Sequence, residues 1–261
     1  MIVKKEVASL ELPHEKTEPR TELSEYSTLI YGREKIGKTT FGSQFPEALF
    51  LFFEPGGKSL SVYGRDVYSW EEFKSYLTLL RKDHKFKTVI IDTVDIAYKM
   101  CYAYICKRLG VDHPAEEGFA KAWNMIRDEF QEKMAILMKL NRGVVLISHS
   151  TEKEIKKRYG DTEHRIITTM SKQAREVLEP MVDIWTYCEY GKDGGRQFVI
   201  RGDELISAGH RLQNNFKGID KIPMGKNPKE AYENFVNAFN TNLVIKKLMT
   251  NSGGSKVKVR R

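Results

Sequence analysis

Along the chain, short runs of β-branched and aromatic residues alternate with longer stretches in which apolar residues recur every three or four positions. That alternation predicts parallel strands joined by helical crossovers. Strands are expected at Thr28–Tyr31, Ala48–Phe53, Thr88–Ile91 and Val144–Ser148, and helices after Gly37, Ser69, Thr93 and Gly118. Ser69-Trp70-Glu71-Glu72 has the form of a capping box. Phe119, Trp123, Ile126, Phe130, Met134 and Leu137 trace one helical face until Asn141-Arg142-Gly143 ends it. A helix over Lys172–Leu178 and strands at Ile184–Tyr190 and Gln197–Arg201 follow, the two strands joined across residues 191–195 as an antiparallel hairpin.

After Ser148 the pattern breaks. Residues 150–170 are charged, aperiodic and too long for an ordinary connection, so they read as a functional loop or a small insertion. Residues 202–228 are loop-rich, and a helix is expected from Pro228 to about Phe239. The whole reads as a flexible arm over residues 1–25, one α/β domain over 26–240 and a basic, flexible tail over 241–261. Its expected core is a central, mainly parallel sheet with helices on both faces and an antiparallel hairpin towards the C-terminus.

Composition narrows this picture. At 261 residues and 41% hydrophobic, the chain can bury one sizeable core with decoration. No apolar run approaches the roughly 20 residues of a membrane helix, and the first residues lack a signal-peptide core. Cys101, Cys106 and Cys188 have no C-x-x-C spacing, so they suggest a reducing cytoplasm and a packing role. The net charge of +8 is uneven, because residues 234–261 hold Lys246, Lys247, Lys256, Lys258, Arg260 and Arg261 and no acid. The body is therefore close to neutral. A basic tail containing Ser252-Gly253-Gly254-Ser255 suits an arm laid along phosphates, or equally a solubilising extension.

The strongest chemical signal is Gly32-Arg33-Glu34-Lys35-Ile36-Gly37-Lys38-Thr39, which satisfies G-x-x-x-x-G-K-[ST] between an apolar strand and a helix-forming stretch. Glycines let the backbone turn its amides towards phosphates, from Gly32 through Thr40. Lys38 is expected on the β and γ phosphates and the Thr39 hydroxyl on Mg²⁺, with ATP as the expected nucleotide and GTP left open by the motif. Asp92 ends the buried run Val89-Ile90-Ile91, where a carboxylate holds the magnesium ion through its water shell. Asp95 reads equally well as a helix N-terminal residue. Glu54 follows the run from Phe50 to Phe53 and precedes Pro55-Gly56-Gly57. A strand adjacent to that of the phosphate loop would bring it to the same sheet edge as a general base, although a residue that merely opens a turn fits too. His149, between Ser148 and Ser150, ends the fourth strand, a place from which a polar side chain senses a γ-phosphate.

This order of phosphate loop, Glu54, Asp92-Thr93 and Ser148-His149, then a basic loop and a terminal hairpin, resembles the RecA-like ATPase core. More closely, it is similar to the short phage ATPases related to RecA that act in single-strand annealing and recombination, often labelled AAA-family or phage nucleotide-binding proteins. The resemblance covers about residues 27–240 and implies Mg²⁺-dependent ATP hydrolysis. Lys38, Glu54 and His149 would form the catalytic set, Glu54 as catalytic carboxylate and His149 as a sensor where recombinases more often place Gln. Thr39 and Asp92 would serve the metal.

It also makes residues 150–170 the counterpart of a mobile loop on single-stranded DNA. Lys153, Lys156, Lys157, Arg158 and Arg165 would follow the phosphates and Tyr159 would stack on a base, against four acids, Glu152, Glu154, Asp161 and Glu163. Implied partners are single-stranded DNA, a single-strand-binding protein and further copies of the chain, with no membrane; a phage origin would place it in the host cytoplasm. Arg201 and Arg211 are candidates to complete a neighbouring protomer's site. Other readings compatible with the motifs are a hexameric DNA motor or loader, a small-molecule phosphotransferase and a slow nucleotide-dependent switch.

Overall fold

Every apolar strand of this chain divides its side chains between two cores. In the computed structural model, which describes residues 12–117, 121–156, 160 and 162–252, β1 (Ser27–Gly32) is buried along its whole length. Leu29 and Tyr31 face one cluster and Ile30 the other, as the two-residue period of a strand requires. The remaining elements are α1 (Lys38–Gly42), β2 (Ala48–Phe52), β3 (Tyr63–Asp66), α2 (Trp70–Leu79), β4 (Thr88–Asp92), α3 (Val94–Leu109), α4 (Lys121–Met138) and β5 (Gly143–Lys156). They continue with β6 (Thr162–Thr168), α5 (Lys172–Leu178), β7 (Ile184–Tyr190), β8 (Arg196–Val199), β9 (Gly209–His210), β10 (Lys221–Pro223) and α6 (Pro228–Ser252).

The sheet order is β10-β8-β7-β1-β5-β4-β2-β3, with β6 paired to β5 and β9 to β7. From β7 to β3 the neighbours are parallel, and β8 and β10 extend the β7 edge antiparallel. This is the expected α/β class, a mainly parallel sheet with helices on both faces. Trp70 and Phe73 of α2, Val94 and Cys101 of α3, Ile126 and Phe130 of α4 and Val177 of α5 cover one face. Phe41 of α1 and Phe235 and Phe239 of α6 cover the other. All three cysteines are free and buried. No helix among the described residues is long and apolar enough to cross a membrane.

Several expectations are corrected. Of the two readings of residues 150–170, the loop gives way to the small insertion: β5 runs on to Lys156 and pairs antiparallel with β6, making a hairpin that leaves the main sheet. The last helix does not stop near Phe239 but continues to Ser252, through the first half of the expected tail. Strands β3, β9 and β10 lie where none was expected. The N-terminal segment is anchored before residue 26, since Leu23 is buried and the Tyr26 hydroxyl donates to the Arg20 carbonyl at 2.8 Å. Ser69 caps α2 by accepting from the Glu72 amide at 3.1 Å, while the Glu72 carboxylate accepts from the Tyr68 amide and not that of Ser69. Residues 1–11 of the arm, the helix start at Gly118 and Phe119, and the tail from Gly253 on lie outside the described residues.

Candidate active site

Strand β1 ends at Gly32, where the chain must pass over β7: a Cβ at this position would stand 2.6 Å from the Cys188 carbonyl oxygen, so only glycine fits without moving backbone. Arg33, Glu34 and Lys35 then project into solvent, and the buried side chain of Ile36 pins the loop to the second core. Gly37, at a φ of 108°, turns the backbone in the left-handed region and opens α1. The first amides of α1 have no carbonyl partner within the helix and remain available to an anion.

Lys38 is 5% exposed, and its ammonium donates to the carbonyls of Gly32 at 2.7 Å and Arg33 at 2.8 Å. Burial pulls its pKa below the usual lysine range, and the carboxylates of Asp92, Asp95 and Glu54 oppose that shift. A phosphate close by would favour the charged form further. Beneath the loop, burial pushes the Cys188 thiol up to about 12, which keeps it a neutral packing group.

The sheet order separates Glu54 from the loop in a way the sequence did not suggest. Its strand, β2, is not adjacent to β1, because β5 and β4 lie between them. All the same strands end at one edge, and there a cleft of about 460 Å³ is lined by Lys35, Gly37, Lys38, Thr39 and Thr40 from the loop. Glu54 and Gly56 after β2, Asp92 of β4 and His149 of β5 complete it. The Thr39 hydroxyl donates to Asp92 Oδ2 at 2.8 Å. Burial raises the Asp92 pKa, and the bond from Thr39 acts in the opposite direction. A threonine hydroxyl beside a carboxylate is a hard-oxygen donor pair that fits Mg²⁺, which takes one or two carboxylates and draws its other ligands from phosphate and water. A cation there would also relieve the cost of burying the Asp92 charge.

Glu54 Oε1 lies 3.1 Å from His149 Nε2, with both side chains about one-third exposed. A carboxylate accepts only, so Nε2 carries the proton and His149 fixes one carboxylate oxygen while leaving the other to the cleft. Asp95 does not cap α3: its Oδ1 accepts from the hydroxyls of Ser148 at 3.0 Å and Thr169 at 2.5 Å, tying α3 to β5 and to the segment after β6.

Of the expected DNA-contacting residues, Lys153 and Arg165 face each other across the β5–β6 pair. Lys156 lies in β5, whereas Lys157, Arg158, Tyr159 and Asp161 lie outside the described residues. Arg211 is committed within its own chain, donating to the carbonyls of Pro180 and Val182, and Arg201 is paired with Asp220 at 3.9 Å. Neither lines the cleft described above. The arginine that does stand against the loop is Arg196, whose Nη1 donates to the Ile36 carbonyl at 3.3 Å. No motif marks it, since the pairing of β8 with β7 alone brings it there.

The AAA domain family matches residues 24–212, and the chain belongs to that family. The SPbeta prophage-derived uncharacterized protein YorG of Bacillus subtilis (strain 168) is 27% identical over 157 residues, 57% of this chain and 48% of YorG. The chain thus spans about half the length of the curated relative it matches. Among solved structures, the KaiC-like protein PH0186 from the hyperthermophilic archaeon Pyrococcus horikoshii OT3 aligns over 79% of this chain and 88% of its own, at 15% identity and a TM-score of 0.45.

Family and phosphate loop together imply nucleotide binding. Lys38→Met keeps an unbranched stem but removes the ammonium, so affinity for Mg-ATP should fall about tenfold to a hundredfold, the worth of hydrogen bonds to a charged group. Titration calorimetry measures this, with thermal unfolding alongside because two carbonyl bonds go too. Equal affinity in both proteins would remove Lys38 from the phosphates.

Proposed function

We propose that this protein is an Mg²⁺-dependent ATPase that works on single-stranded DNA, in recombination or annealing of the phage type. The observation that carries the first half is the convergence of Lys38, Thr39 with Asp92, and Glu54 with His149 on one cleft. Lys38 and the loop amides hold the phosphates, and Arg196 supports the loop from the same chain. Thr39 and Asp92 hold Mg²⁺, which when bound supplies positive charge to the phosphate oxygens. Glu54, held by His149, orients a water and accepts its proton through the free carboxylate oxygen.

Support for DNA comes from the hairpin. His149 stands in β5 at its base and Lys153 four residues further along the same strand. Lys153 opposite Arg165 is a like-charged cross-strand pair, which disfavours the hairpin unless an anion lies across it. Strand alternation puts Glu163 on that face and Glu152 and Glu154 on the other, so the near balance of charges in the sequence becomes a bias towards cations on one side. A prophage-derived relative fits a phage setting.

ATP hydrolysis measured with and without a single-stranded oligonucleotide tests the whole reading: turnover that rises with DNA is expected, and no turnover in either case would end it. Anisotropy of a labelled oligonucleotide over a salt series tests the hairpin. Replacing Lys153 with Gln should reduce the slope of log affinity against log salt by roughly 0.7, one phosphate contact on a single strand. An unchanged slope would take the hairpin out of DNA binding.

A further inference from the structure

The two ends of a bound nucleotide meet different strands. In the sheet, β1 stands between β5 and β7. Asp92 of β4, Glu54 after β2 and His149 of β5, the residues assigned above to the metal and the attacking water, all lie on the β5 side. With Lys38 on the β and γ phosphates, the α-phosphate and the nucleoside therefore leave the cleft on the other side, over β7 and β8.

Arg196 of β8 stands on that side. Its Nη1 donates to the Ile36 carbonyl at 3.3 Å and would lie 2.9 Å from a Cβ at Gly37, so the second glycine of the loop is what lets a guanidinium lie against it. Met224, whose amide donates to the Arg196 carbonyl at 2.8 Å, approaches the same point with its Cε and is buried there. The Arg196 side chain is half-buried, yet no carboxylate pairs with it among the described residues. Glu189, one rung along the β7–β8 ladder, is already taken by Gln197 at 2.7 Å and Lys221 at 2.8 Å. No aromatic ring of the described residues lies over the guanidinium either. A planar cation with a single carbonyl bond and no ring on its face is a surface that an aromatic ring fits. Because Arg196 does not line the phosphate cleft, the part of the nucleotide within its reach is the base and not a phosphate.

We infer that Arg196 holds the nucleoside end of the nucleotide, its guanidinium stacked on the base. The inference rests on the phosphate end lying at Lys38, Asp92 and Glu54, as proposed above. It gives Arg196 a contact with the ligand in addition to its bond to the loop. It also makes Gly37 part of the base site, since any side chain there would push the guanidinium away.

Calorimetry on the full chain tests this with Mg-ATP, Mg-ADP and Mg-tripolyphosphate, the last of which carries phosphates without a base. Arg196→Ala should weaken ATP and ADP about fivefold to thirtyfold, the worth of one cation–π contact, and leave tripolyphosphate within about twofold of the wild type. Arg196→Gln keeps an N–H for the Ile36 carbonyl and removes the cation, so it should lose about as much as Arg196→Ala. Wild-type nucleotide affinity in Arg196→Gln would reduce Arg196 to a brace for the loop, and an equal loss for tripolyphosphate would move its contact to the phosphates; either result overturns the stack. Unchanged affinity for ATP in folded Arg196→Ala does so too, and leaves the cleft intact. A wild-type protein that binds none of the three overturns the cleft itself, and the base contact with it.

Discussion

Glu54→Gln should bind Mg-ATP as the wild type does and hydrolyse it about 10²- to 10⁴-fold more slowly, the usual contribution of a positioned general base. The substitution is close to isosteric, and the Gln carbonyl oxygen can still accept from His149 Nε2, so the 3.1 Å contact and the shape of the cleft survive. What disappears is the ability to take a proton from water. Glu54 is about one-third exposed and follows β2, so its replacement leaves both cores intact. Calorimetry gives the affinity, and phosphate release at saturating ATP gives the rate. A wild-type rate would reduce Glu54 to a residue that opens the turn at Pro55-Gly56-Gly57, and the cleft would need another base. His149→Ala provides a second measure of the same pair: without its orienting partner the carboxylate stays chemically competent but less well placed, so a smaller loss of rate is expected.

The parts of this site that could be read from sequence are those encoded locally. The phosphate loop needs glycines and a lysine at fixed spacing, and Asp92 ends a run of buried β-branched residues, so both are visible without knowledge of the sheet order. Arg196 was not visible, because its place beside Ile36 depends on strand pairing across 160 positions of sequence. The β5–β6 hairpin was missed for a different reason. Most of its outer part is solvated on both faces, so no apolar alternation marks the strands. Strand β3 is exposed at all four positions and leaves no pattern either. At the C-terminus the count of bases outweighed Leu243, Val244, Ile245, Leu248 and Met249, which continue α6 beyond the expected end. The order of β2 relative to β1 is a long-range property that no local pattern carries.

Phe235→Ala should destabilise the protein by about 3–5 kcal/mol, the cost of removing a fully buried aromatic side chain. Phe235 is 0% exposed, and its ring lies 5.4 Å from that of Phe41, 5.0 Å from Phe198 and 5.5 Å from Phe216. These partners belong to α1, β8 and the segment before β10, so one side chain of α6 joins three parts of the chain. The match to the AAA domain ends at residue 212, yet the second core depends on residues beyond it. Phe41 in particular stands in the short helix that also carries Thr39 and Thr40, which connects this packing to the nucleotide cleft. A lower urea midpoint with an unchanged slope is therefore expected, accompanied by weaker binding of Mg-ATP even where the variant remains folded. Bound nucleotide should in turn recover part of the lost stability, because it favours the arrangement that Phe235 supports. A loss below 1 kcal/mol would mean that the core closes without α6, and that the helix is an appendage to the domain instead of the layer that seals its second face.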